Sequence, residues 1–367
     1  MCIRDRTDAL VLGGGLAGSA SAILLARAGK SVTLIERESG PHHKICGEFL
    51  SIEGRDHLEA LGIDPVALGG TPIDMVELCS GARLVRSRLP FTALGLSRYR
   101  LDEVLLESAD RSGVDVRRGI RVTSMDEHRV STSAGGHEAG AILLATGKHR
   151  IRGDRTEADG GADPFAGFKM HFRLPPSAHK AIAETIRLIL FDGGYAGLQP
   201  VEDGTANLCL VIRKDRLGEL GGSWDAVMAM LRTLPHCGDL LRDAEPLMER
   251  PAAIANLAYG IAPRPAMAEG LYPLGDRACM TASLTGDGMA LALRSGFVAA
   301  SCVAQGETVR DYHRRHAREV HGQVRRAMAL QHIQETRLLR QAGIGLLAAF
   351  PGLLHYLAQA TRLRRWS

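Results

Sequence analysis

The sequence predicts an α/β fold, and three observations support that prediction. An apolar strand, a glycine-rich turn, a helix of small residues and a second apolar strand follow one another between residues 9 and 35. A fully apolar run at residues 140–147 closes on glycine, which is typical of a buried parallel strand. The composition, with 42 glycines and only 4% aromatic residues among 367, suits small-residue helices on a parallel sheet better than a β-sandwich.

The N-terminal unit predicts a bound dinucleotide. The strand at residues 9–12 runs into a G-x-G-x-x-G turn whose glycines are Gly13, Gly15 and Gly18. Gly13 permits the tight turn, Gly15 lets the backbone approach a pyrophosphate, and Gly18 lets the next helix pack close to the sheet with its positive end toward the phosphates. Glu36 ends the second strand, where its carboxylate can accept hydrogen bonds from ribose hydroxyls. The alternative is a glycine-rich turn in an unrelated parallel sheet.

The later elements are predicted from their periodicity. Up to residue 150 we expect a loop, a helix, a strand pair, an amphipathic helix, two short strands and the apolar strand, at residues 39–50, 51–61, 71–90, 98–112, 113–116, 119–125 and 140–147. A mostly antiparallel pattern follows, with strands at residues 168–174, 186–191 and 206–213 and a helix at residues 224–234 that Pro235 ends. A strand at residues 270–276, a helix at residues 289–304 and a basic helical remainder complete the chain.

These elements predict three parts. The first is a Rossmann-like dinucleotide-binding domain, residues 7–164 and 262–305, and the second is an inserted β-rich substrate domain, residues 165–261. The third is a helical C-terminal region, residues 306–367. The strand pair near residues 71–90 is expected to join the substrate domain.

Charge and cysteine content exclude several classes of protein. A net charge of +4 is small for this length and gives no indication of a nucleic-acid partner. The 7 cysteines include no C-x-x-C pair, so we expect no disulfide framework and no metal site, and a reducing, cytoplasmic compartment.

The two ends of the chain differ from the middle. The first six residues, Met-Cys-Ile-Arg-Asp-Arg, read as a translated sequencing-adapter end, so we expect them to be foreign to the natural chain. The apolar stretch at residues 342–356 is short and broken by Pro351, unlike a membrane span. Two interpretations of this basic C-terminus remain, which are helices packed over the substrate domain and a peripheral contact with an anionic membrane.

Four further motifs occur in order along the chain. They are Arg98-x-x-Leu101-Asp102 at a helix start, Ala145-Thr146-Gly147 at a strand end, Gly275-Asp276, and Gly286-x-Gly288. With the N-terminal unit they resemble the superfamily of FAD-dependent aromatic hydroxylases (para-hydroxybenzoate hydroxylase type) and geranylgeranyl reductases, over residues 8–305. The resemblance implies that FAD, rather than NAD, is the tightly bound dinucleotide.

The resemblance also implies roles for individual residues. Asp276 matches an aspartate that binds a ribityl hydroxyl or the pyrophosphate, and Arg98 matches an arginine near the FAD phosphates; a helix cap and a solvated helix start are the alternatives. The helix beginning near Met289 would stabilise negative charge at the N1–C2=O edge of the flavin. The cofactor-binding residues expected are Gly13, Gly15, Leu16, Ala17, Gly18, Glu36, Arg37, Cys46, Gly47, Arg98, Val122, Ala145, Thr146, Gly147, Gly275, Asp276, Gly286, Gly288 and Met289.

A loop at residues 43–48 supplies the candidate catalytic residues. Its Cys46-Gly47-Glu48 is similar to the Cys-Gly loop of geranylgeranyl-reductase-like flavoproteins, which lies beside the flavin ring. The resemblance implies a redox or packing role for Cys46 and a hydrogen bond from flavin or substrate to Glu48. A loop thiol without chemistry is the alternative.

One departure concerns the reductant. Aromatic hydroxylases usually carry an Asp-Gly pair after the Ala-Thr-Gly strand, whereas residues 148–153 have none, and the chain has no second G-x-G-x-x-G unit. NAD(P)H is therefore expected as a transient reductant. The basic residues that could attract its phosphates are Lys148, His149, Arg150 and Arg152.

Three functions are consistent with these residues. The first is an NAD(P)H-dependent flavin monooxygenase that hydroxylates a lipophilic or aromatic small molecule. The second, favoured by the Cys-Gly loop and the missing Asp-Gly pair, is a reductase of C=C bonds in a prenyl-type lipid. The third is a flavin-binding sensor without turnover. The substrate itself is not predicted, because residues 165–261 carry no recognisable motif.

Overall fold

The computed structural model describes residues 6–126, 129–149, 151–152, 165–257, 259 and 269–362. Within them the predicted α/β class is confirmed, as two sheets with helices packed on both. The strands are β1 (Arg6–Leu12), β2 (Val32–Ile35), β3 (Phe49–Leu50), β4 (Thr71–Ser80), β5 (Arg83–Gly95), β6 (Asp115–Arg117), β7 (Val122–Asp126), β8 (Arg129–Thr132), β9 (Gly135–Leu144), β10 (Phe165–Arg173), β11 (Thr185–Phe191), β12 (Gly194–Pro200), β13 (Thr205–Arg213), β14 (Glu245–Pro246), β15 (Ala252–Leu257) and β16 (Leu271–Pro273). The α-helices are α1 (Leu16–Arg27), α2 (Ile52–Ala60), α3 (Arg98–Arg111), α4 (Pro176–Ala181), α5 (Lys214–Glu219), α6 (Trp224–Thr233), α7 (Gly238–Leu241), α8 (Gly288–Gln305), α9 (Val309–Glu335), α10 (Arg337–Ala349) and α11 (Gly352–Ala360).

The first sheet has the order β6-β2-β1-β9-β8-β7, and β16 also pairs with β9. The β1 strand runs parallel to both β2 and β9, and its residues 9–12 are fully buried. The chain leaves β1 through α1 and pairs β2 on one side of it, whereas β9 pairs on the other side. The carboxyl end of β1 is therefore a topological switch point of the sheet. A crevice for a ligand forms at the carboxyl ends of such strands, directly after the glycine-rich turn.

The second sheet has the order β14-β10-β13-β12-β11-β4-β5-β3, with β15 also on β10. Its pairs are antiparallel except for β11 and β4, which run parallel. The hairpin of β4 and β5 precedes the other long strands in sequence by about seventy residues, yet it pairs with this sheet. One face packs on α6 and α7 through a buried apolar cluster that includes Val227, Leu231 and Leu241.

The C-terminal helices cover part of the second sheet. The α9 helix begins with a capping box, in which the Thr308 hydroxyl and the Asp311 carboxylate bond reciprocally to the backbone. The last two helices pack over β5, where Val85 contacts Ile344 and Leu347. Among the described residues, α8 is long and apolar enough to cross a membrane, and 67% of that segment is buried inside the protein. The α10 and α11 helices pass the same test only as a pair, bent by 117°.

Candidate active site

A cavity of about 1410 Å³ lies between the two sheets and the C-terminal helices. One end is formed by the glycine-rich turn, the middle by the loop at residues 42–49, and the other end by the second sheet with α10 and α11. This volume exceeds the range of roughly 300–1,000 Å³ that is usual for one drug-sized ligand. The cavity can therefore hold a dinucleotide together with a second molecule.

Two cations face the start of α1. An ideal Cβ at Gly15 would lie 3.3 Å from Arg98 Nη2 and 3.5 Å from Lys44 Nζ. Both cations also bind Asp102, with Arg98 bidentate at 2.7 and 2.8 Å and Lys44 at 2.8 Å. Burial raises the pKa of the Asp102 carboxyl, but Arg98 and Lys44 outweigh it and lower that pKa to about 2. The carboxylate thus fixes the two cations beside the helix.

The α1 N-terminus itself is left open for an anion. Gly15 is its N-cap, no side chain caps it, and its first turn contains no acidic residue. Free backbone N–H groups and the helix dipole favour a phosphate there, and the adjacent cations reinforce this. The pyrophosphate of FAD fits this combination.

The carboxylate of Glu36 holds the turn in shape. It is buried, and its Oε2 accepts a hydrogen bond from the Gly14 N–H at 2.7 Å while Oε1 accepts from the Glu38 N–H at 3.0 Å. Each oxygen keeps a second lone pair that a ribose hydroxyl can use. Gly18 does not line the cavity. A Cβ there would lie 1.9 Å from the Gly13 carbonyl oxygen, so the position needs glycine for packing. Its place is the close contact of α1 with β1.

The start of α8 forms the opposite wall of the cavity. Gly286 has a φ of +72°, and a Cβ there would lie 2.7 Å from Phe49 Cδ1, so glycine is required for both reasons. No side chain caps α8, so its N–H groups remain available to a polar ligand edge. The Asp276 carboxylate borders the cavity and lies 3.8 Å from Lys148 Nζ.

Asp287, at the N-cap of α8, is fully buried and paired with the C-terminal segment. Arg362 Nη2 lies 2.7 Å from Asp287 Oδ1 and donates to the Thr285 carbonyl at 2.5 Å. The same guanidinium sits over the Phe91 ring, 5.2 Å from its centroid. Burial raises the pKa of Asp287 to about 6, and Arg362 partly offsets this.

Glu48 is the centre of a buried charge cluster. Its side chain has no solvent exposure, and its backbone adopts a φ of +58°. The carboxylate accepts from the Arg98 N–H at 2.7 Å, from His171 Nε2 at 2.7 Å and from the buried Lys169 ammonium. Burial alone would raise the pKa of this carboxyl, but Lys169 and His171 lower it below its ordinary value. Glu48 is therefore ionised and already fully engaged.

The neighbouring thiols are held on the cavity wall. Asn207 Nδ2 donates to the carbonyls of Cys46 at 3.1 Å and Gly47 at 2.8 Å, which fixes the loop against β13. Cys46 is half-buried and Cys209 also lines the cavity. Burial raises the pKa of the Cys209 thiol to about 12, so this thiol stays protonated.

Apart from Gly18, the structure brings the residues expected from the sequence to this one cavity. Its lining includes Gly13, Gly15, Leu16, Ala17, Glu36, Arg37, Cys46, Gly47, Glu48, Arg98, Val122, Ala145, Thr146, Gly147, Gly275, Asp276, Gly286, Gly288 and Met289. Of the basic stretch after β9, Lys148 and His149 line it, Arg152 is exposed, and Arg150 and Gly153 lie outside the described residues. No group of three or more side chains in the described part of the chain could hold a metal ion.

The sequence interpretation missed two sets of functional residues. Lys169 and His171 occupy alternate positions of β10, whose other residues from Phe165 to Phe172 are apolar, and that pair of polar residues on one face was the available signal. The second set is the apolar end of the cavity, lined by Val76, Leu78, Leu89, Phe91, Ile186, Leu188, Leu190, Val211, Leu347, Leu353, Leu354 and Leu357. These residues come from distant segments, and no local motif marks them.

Comparison with known proteins supports the FAD assignment. Residues 6–146 match the family model of the FAD binding domain. Protein FixC of Shigella flexneri is 27% identical over 341 residues, which cover 82% of this chain and 77% of FixC. Menaquinone reductase of Mycobacterium tuberculosis is 25% identical over 331 residues, which cover 84% of this chain and 79% of the reductase.

Solved structures share the fold across nearly the whole chain. Flavin-dependent brominase Bmp2 superposes with a TM-score of 0.78 at 20% identity, covering 97% of this chain and 93% of the brominase. PqsL of Pseudomonas aeruginosa in complex with 2-aminobenzoylacetate gives 0.74 at 20% identity, covering 93% and 99%. The N-terminal part of the chain therefore matches an FAD binding domain, and the chain shares the fold of flavin-dependent enzymes over almost its whole length.

Proposed function

We propose that this flavoprotein is an NAD(P)H-dependent monooxygenase that hydroxylates a lipophilic or aromatic small molecule. The observation that carries the proposal is the apolar end of the cavity. It opens directly onto the loop beside the expected flavin ring, and its walls are leucine, isoleucine, valine and phenylalanine side chains. A large apolar ligand would gain about 25 cal/mol for each Å² of apolar surface removed from water there.

The chain's own residues divide the work between binding and exclusion of water. Arg98, Lys44 and the α1 N-terminus would bind the pyrophosphate, and Asp276 the ribityl or pyrophosphate region. The α8 N-terminus would stabilise negative charge at the flavin N1–C2=O edge. Bound FAD would supply hydride acceptance and oxygen activation, while the apolar walls keep water from the reacting atoms.

The state of Glu48 favours hydroxylation over C=C reduction. Saturating a C=C bond needs a hydride and a proton, so a reductase must place a proton donor beside the substrate. Glu48 is ionised, since Lys169 and His171 hold its pKa below the ordinary value. We therefore propose that Glu48 is a positioning residue that fixes the loop, and that Cys46 is the loop side chain that contacts flavin or substrate.

Reduction of a prenyl-type lipid is the second candidate, and a specific observation favours it. Cys46 lines the cavity, and its thiol could deliver the proton that Glu48 cannot. One relative over most of the chain is named a menaquinone reductase. A sensor without turnover is the third, and negligible NAD(P)H oxidation with every substrate would support it.

Oxygen dependence separates these functions. The holoenzyme would be assayed with NADH or NADPH and either a long-chain alkylphenol or geranylgeraniol. A monooxygenase gives substrate-stimulated oxygen uptake, and label from ¹⁸O₂ appears in the product. A reductase instead consumes NAD(P)H without oxygen and yields a product with one C=C bond fewer. Cys46→Ala should abolish the reductase activity but only modulate hydroxylation.

We also propose a cytoplasmic location with peripheral contact to a membrane. The six cysteines in the described part of the chain are free thiols, and the sequence has no C-x-x-C pair, which fits a reducing compartment. The apolar end of the cavity favours a substrate that partitions into lipid, and the C-terminal helices border that cavity.

A further inference from the structure

We propose that the C-terminal hairpin, defined as α10, α11 and their joining turn, docks on an anionic lipid surface, and that the substrate reaches the cavity there. This inference rests on the proposed function, because it takes the substrate to be lipophilic. It names the membrane as the partner and this hairpin as the passage.

The outer face of the hairpin exposes large apolar side chains. Leu338 is 77% exposed, Phe350 64%, Tyr356 62% and Leu346 50%. With Leu339, which is 44% exposed, five of the ten exposed large apolar residues in the described part of the chain belong to this hairpin. An exposed apolar cluster of this kind marks a surface that contacts a partner.

The sequence of the hairpin is basic. From residue 336 to residue 367 the chain contains five arginines and no aspartate or glutamate, and two of these arginines, Arg340 and Arg362, are held in ion pairs with Asp192 and Asp287. From the adjacent β5, Arg83 Nη1 lies 3.3 Å from the position of a Cβ at Gly345, and the Arg88 carbonyl accepts from His355. Arg83, Arg88 and Arg337 are exposed at the edges of the hairpin. Cations around an apolar face complement anionic headgroups above acyl chains, rather than a second copy bearing the same charge.

The inner face of the hairpin forms the cavity wall. Leu347, Leu354 and Leu357 line the cavity from the inside. Leu346 and Ile333 line it too, yet they are 50% and 40% exposed, so the wall reaches the surface at these residues. A lipid-soluble molecule can therefore pass from the apolar outer surface to the cavity without crossing a polar layer.

Two ion pairs anchor the hairpin to the rest of the molecule. Arg340 is buried and lies 3.1 Å from Asp192, and Arg362 pairs with Asp287 at the N-cap of α8. Because both ends of the hairpin are fixed, docking needs no unfolding of the helices. The exposed apolar face is already formed in the free protein.

Co-sedimentation of the FAD-loaded full chain with vesicles tests the docking. We expect binding to phosphatidylcholine vesicles that contain phosphatidylglycerol, with weaker binding to phosphatidylcholine alone. Phe350→Asp should lower the affinity for the anionic vesicles by about tenfold or more, since it replaces an inserting apolar group by an anion. The matched control is Val66→Asp, which adds the same charge at a site 53% exposed between α2 and β4.

A second pair of variants tests the charge. Arg337→Gln should weaken binding to anionic vesicles, whereas Arg111→Gln, which removes an exposed arginine from α3, should not. Equal binding to both vesicle types, or no effect of Phe350→Asp, would overturn the proposal. A dimer in ultracentrifugation that Phe350→Asp dissociates, together with absent vesicle binding, would assign the face to a second copy instead.

The passage is tested separately from the proposed function. An alkylphenol presented in detergent measures turnover alone, and the same compound embedded in anionic vesicles measures access from lipid. We expect Phe350→Asp to retain the first activity and to lose most of the second. Loss of neither would overturn the passage. If the unaltered protein shows no turnover in detergent, the proposed function is contradicted. The vesicle-binding measurements would still test the docking independently.

Discussion

At the scale of single residues, Glu48 lines the cavity, and neighbouring donors already bind its carboxylate. It sits in the left-handed backbone region, which a side chain other than glycine occupies only when its surroundings hold it. The donors that hold it come from α3 and from β10, so one residue ties the cofactor domain to the second sheet.

Glu48→Gln should be strongly destabilising, because it leaves the Lys169 ammonium buried without its anion. Removing one partner of a buried ion pair costs about 3–5 kcal/mol. The double variant with Lys169→Met should recover most of this loss, since no uncompensated charge then remains. Urea unfolding of Glu48→Gln, Lys169→Met and the double variant measures the coupling, and strictly additive losses would contradict a paired role.

Gly15→Val should abolish FAD retention while the protein still folds. Gly15 has a φ of −80°, which valine can adopt, so the backbone is not strained. The side chain would instead fill the space between α1 and Arg98, where the pyrophosphate is expected. Flavin released on denaturation measures occupancy. Gly40→Val is the matched control, because a Cβ there meets nothing within 4 Å, and loss of flavin in that variant would contradict the assignment.

The nucleotide half of the site could be predicted residue by residue, and the charge cluster could not. Gly15 and Arg98 belong to motifs whose spacing reports geometry directly, because a few residues share one turn or one helix start. Lys169 is separated from Glu48 by more than a hundred residues. Only the pairing of β10 with β13 and the position of the loop bring the two charges together, and neither is encoded locally.

At the scale of elements, the α8 N-terminus and α11 act as one unit. The turn before α8 is expected to face the flavin, and Arg362 at the end of α11 binds both the Thr285 carbonyl and Asp287. The position of the C-terminal hairpin is thereby linked to the geometry of the turn before α8.

Arg362→Gln should make stability more sensitive to pH. Asp287 has a folded pKa of about 6 against an ordinary value of 3.8, so its contribution to stability is full below about pH 4 and is lost as pH rises through 6. Without Arg362 that pKa rises further, and the loss extends to neutral pH. The Tm of the variant should therefore fall more between pH 6 and 8 than that of the unaltered protein.

Asp287→Asn combined with Arg362→Gln provides the control for this unit. The double variant has no ionisable group at the position, so its Tm should vary less with pH than that of Arg362→Gln. Equal pH dependence in the two variants would assign the effect to other groups.

Most strands of the first sheet were predictable from the sequence, whereas β12 of the second sheet was not. Its sequence, Gly-Tyr-Ala-Gly-Leu-Gln-Pro, carries two glycines and a proline, which weaken any strand signal. Pairing with β11 and β13 on both sides stabilises it nonetheless. Position 194 also has no room for a side chain, since a Cβ there would lie 2.3 Å from the Val211 carbonyl oxygen. Tertiary contacts therefore override the local propensity here.

At the scale of the whole molecule, the first sheet provides the cofactor end of the cavity, and the second sheet with the C-terminal hairpin provides the apolar end. The fold class and the cofactor were accessible from the sequence because one contiguous unit carries both. The apolar end of the cavity was not accessible from the sequence, since β5, β11 and α11 meet only after long-range pairing and packing.

Filling the apolar end of the cavity should impair substrate binding and leave the affinity for FAD unchanged. Gly197, in β12, lines the cavity. A Cβ there would make ordinary contacts, 3.7 Å from Leu188 Cδ2 and 3.8 Å from the Cys209 carbonyl oxygen. Gly197→Phe therefore adds a ring to space that the substrate is proposed to occupy, without strain in the strand. Loss of about 100 Å² of apolar contact corresponds to about 2.5 kcal/mol, or a KM increase of tens of fold for an alkylphenol. FAD affinity should remain within about twofold, because its phosphates and ribose bind at the opposite end.

The control is Gly136→Phe, at an exposed glycine of β9 with open space around it, which should change neither the KM nor the FAD affinity. An unchanged KM in Gly197→Phe, or a parallel loss of FAD, would contradict the division of the cavity into two ends.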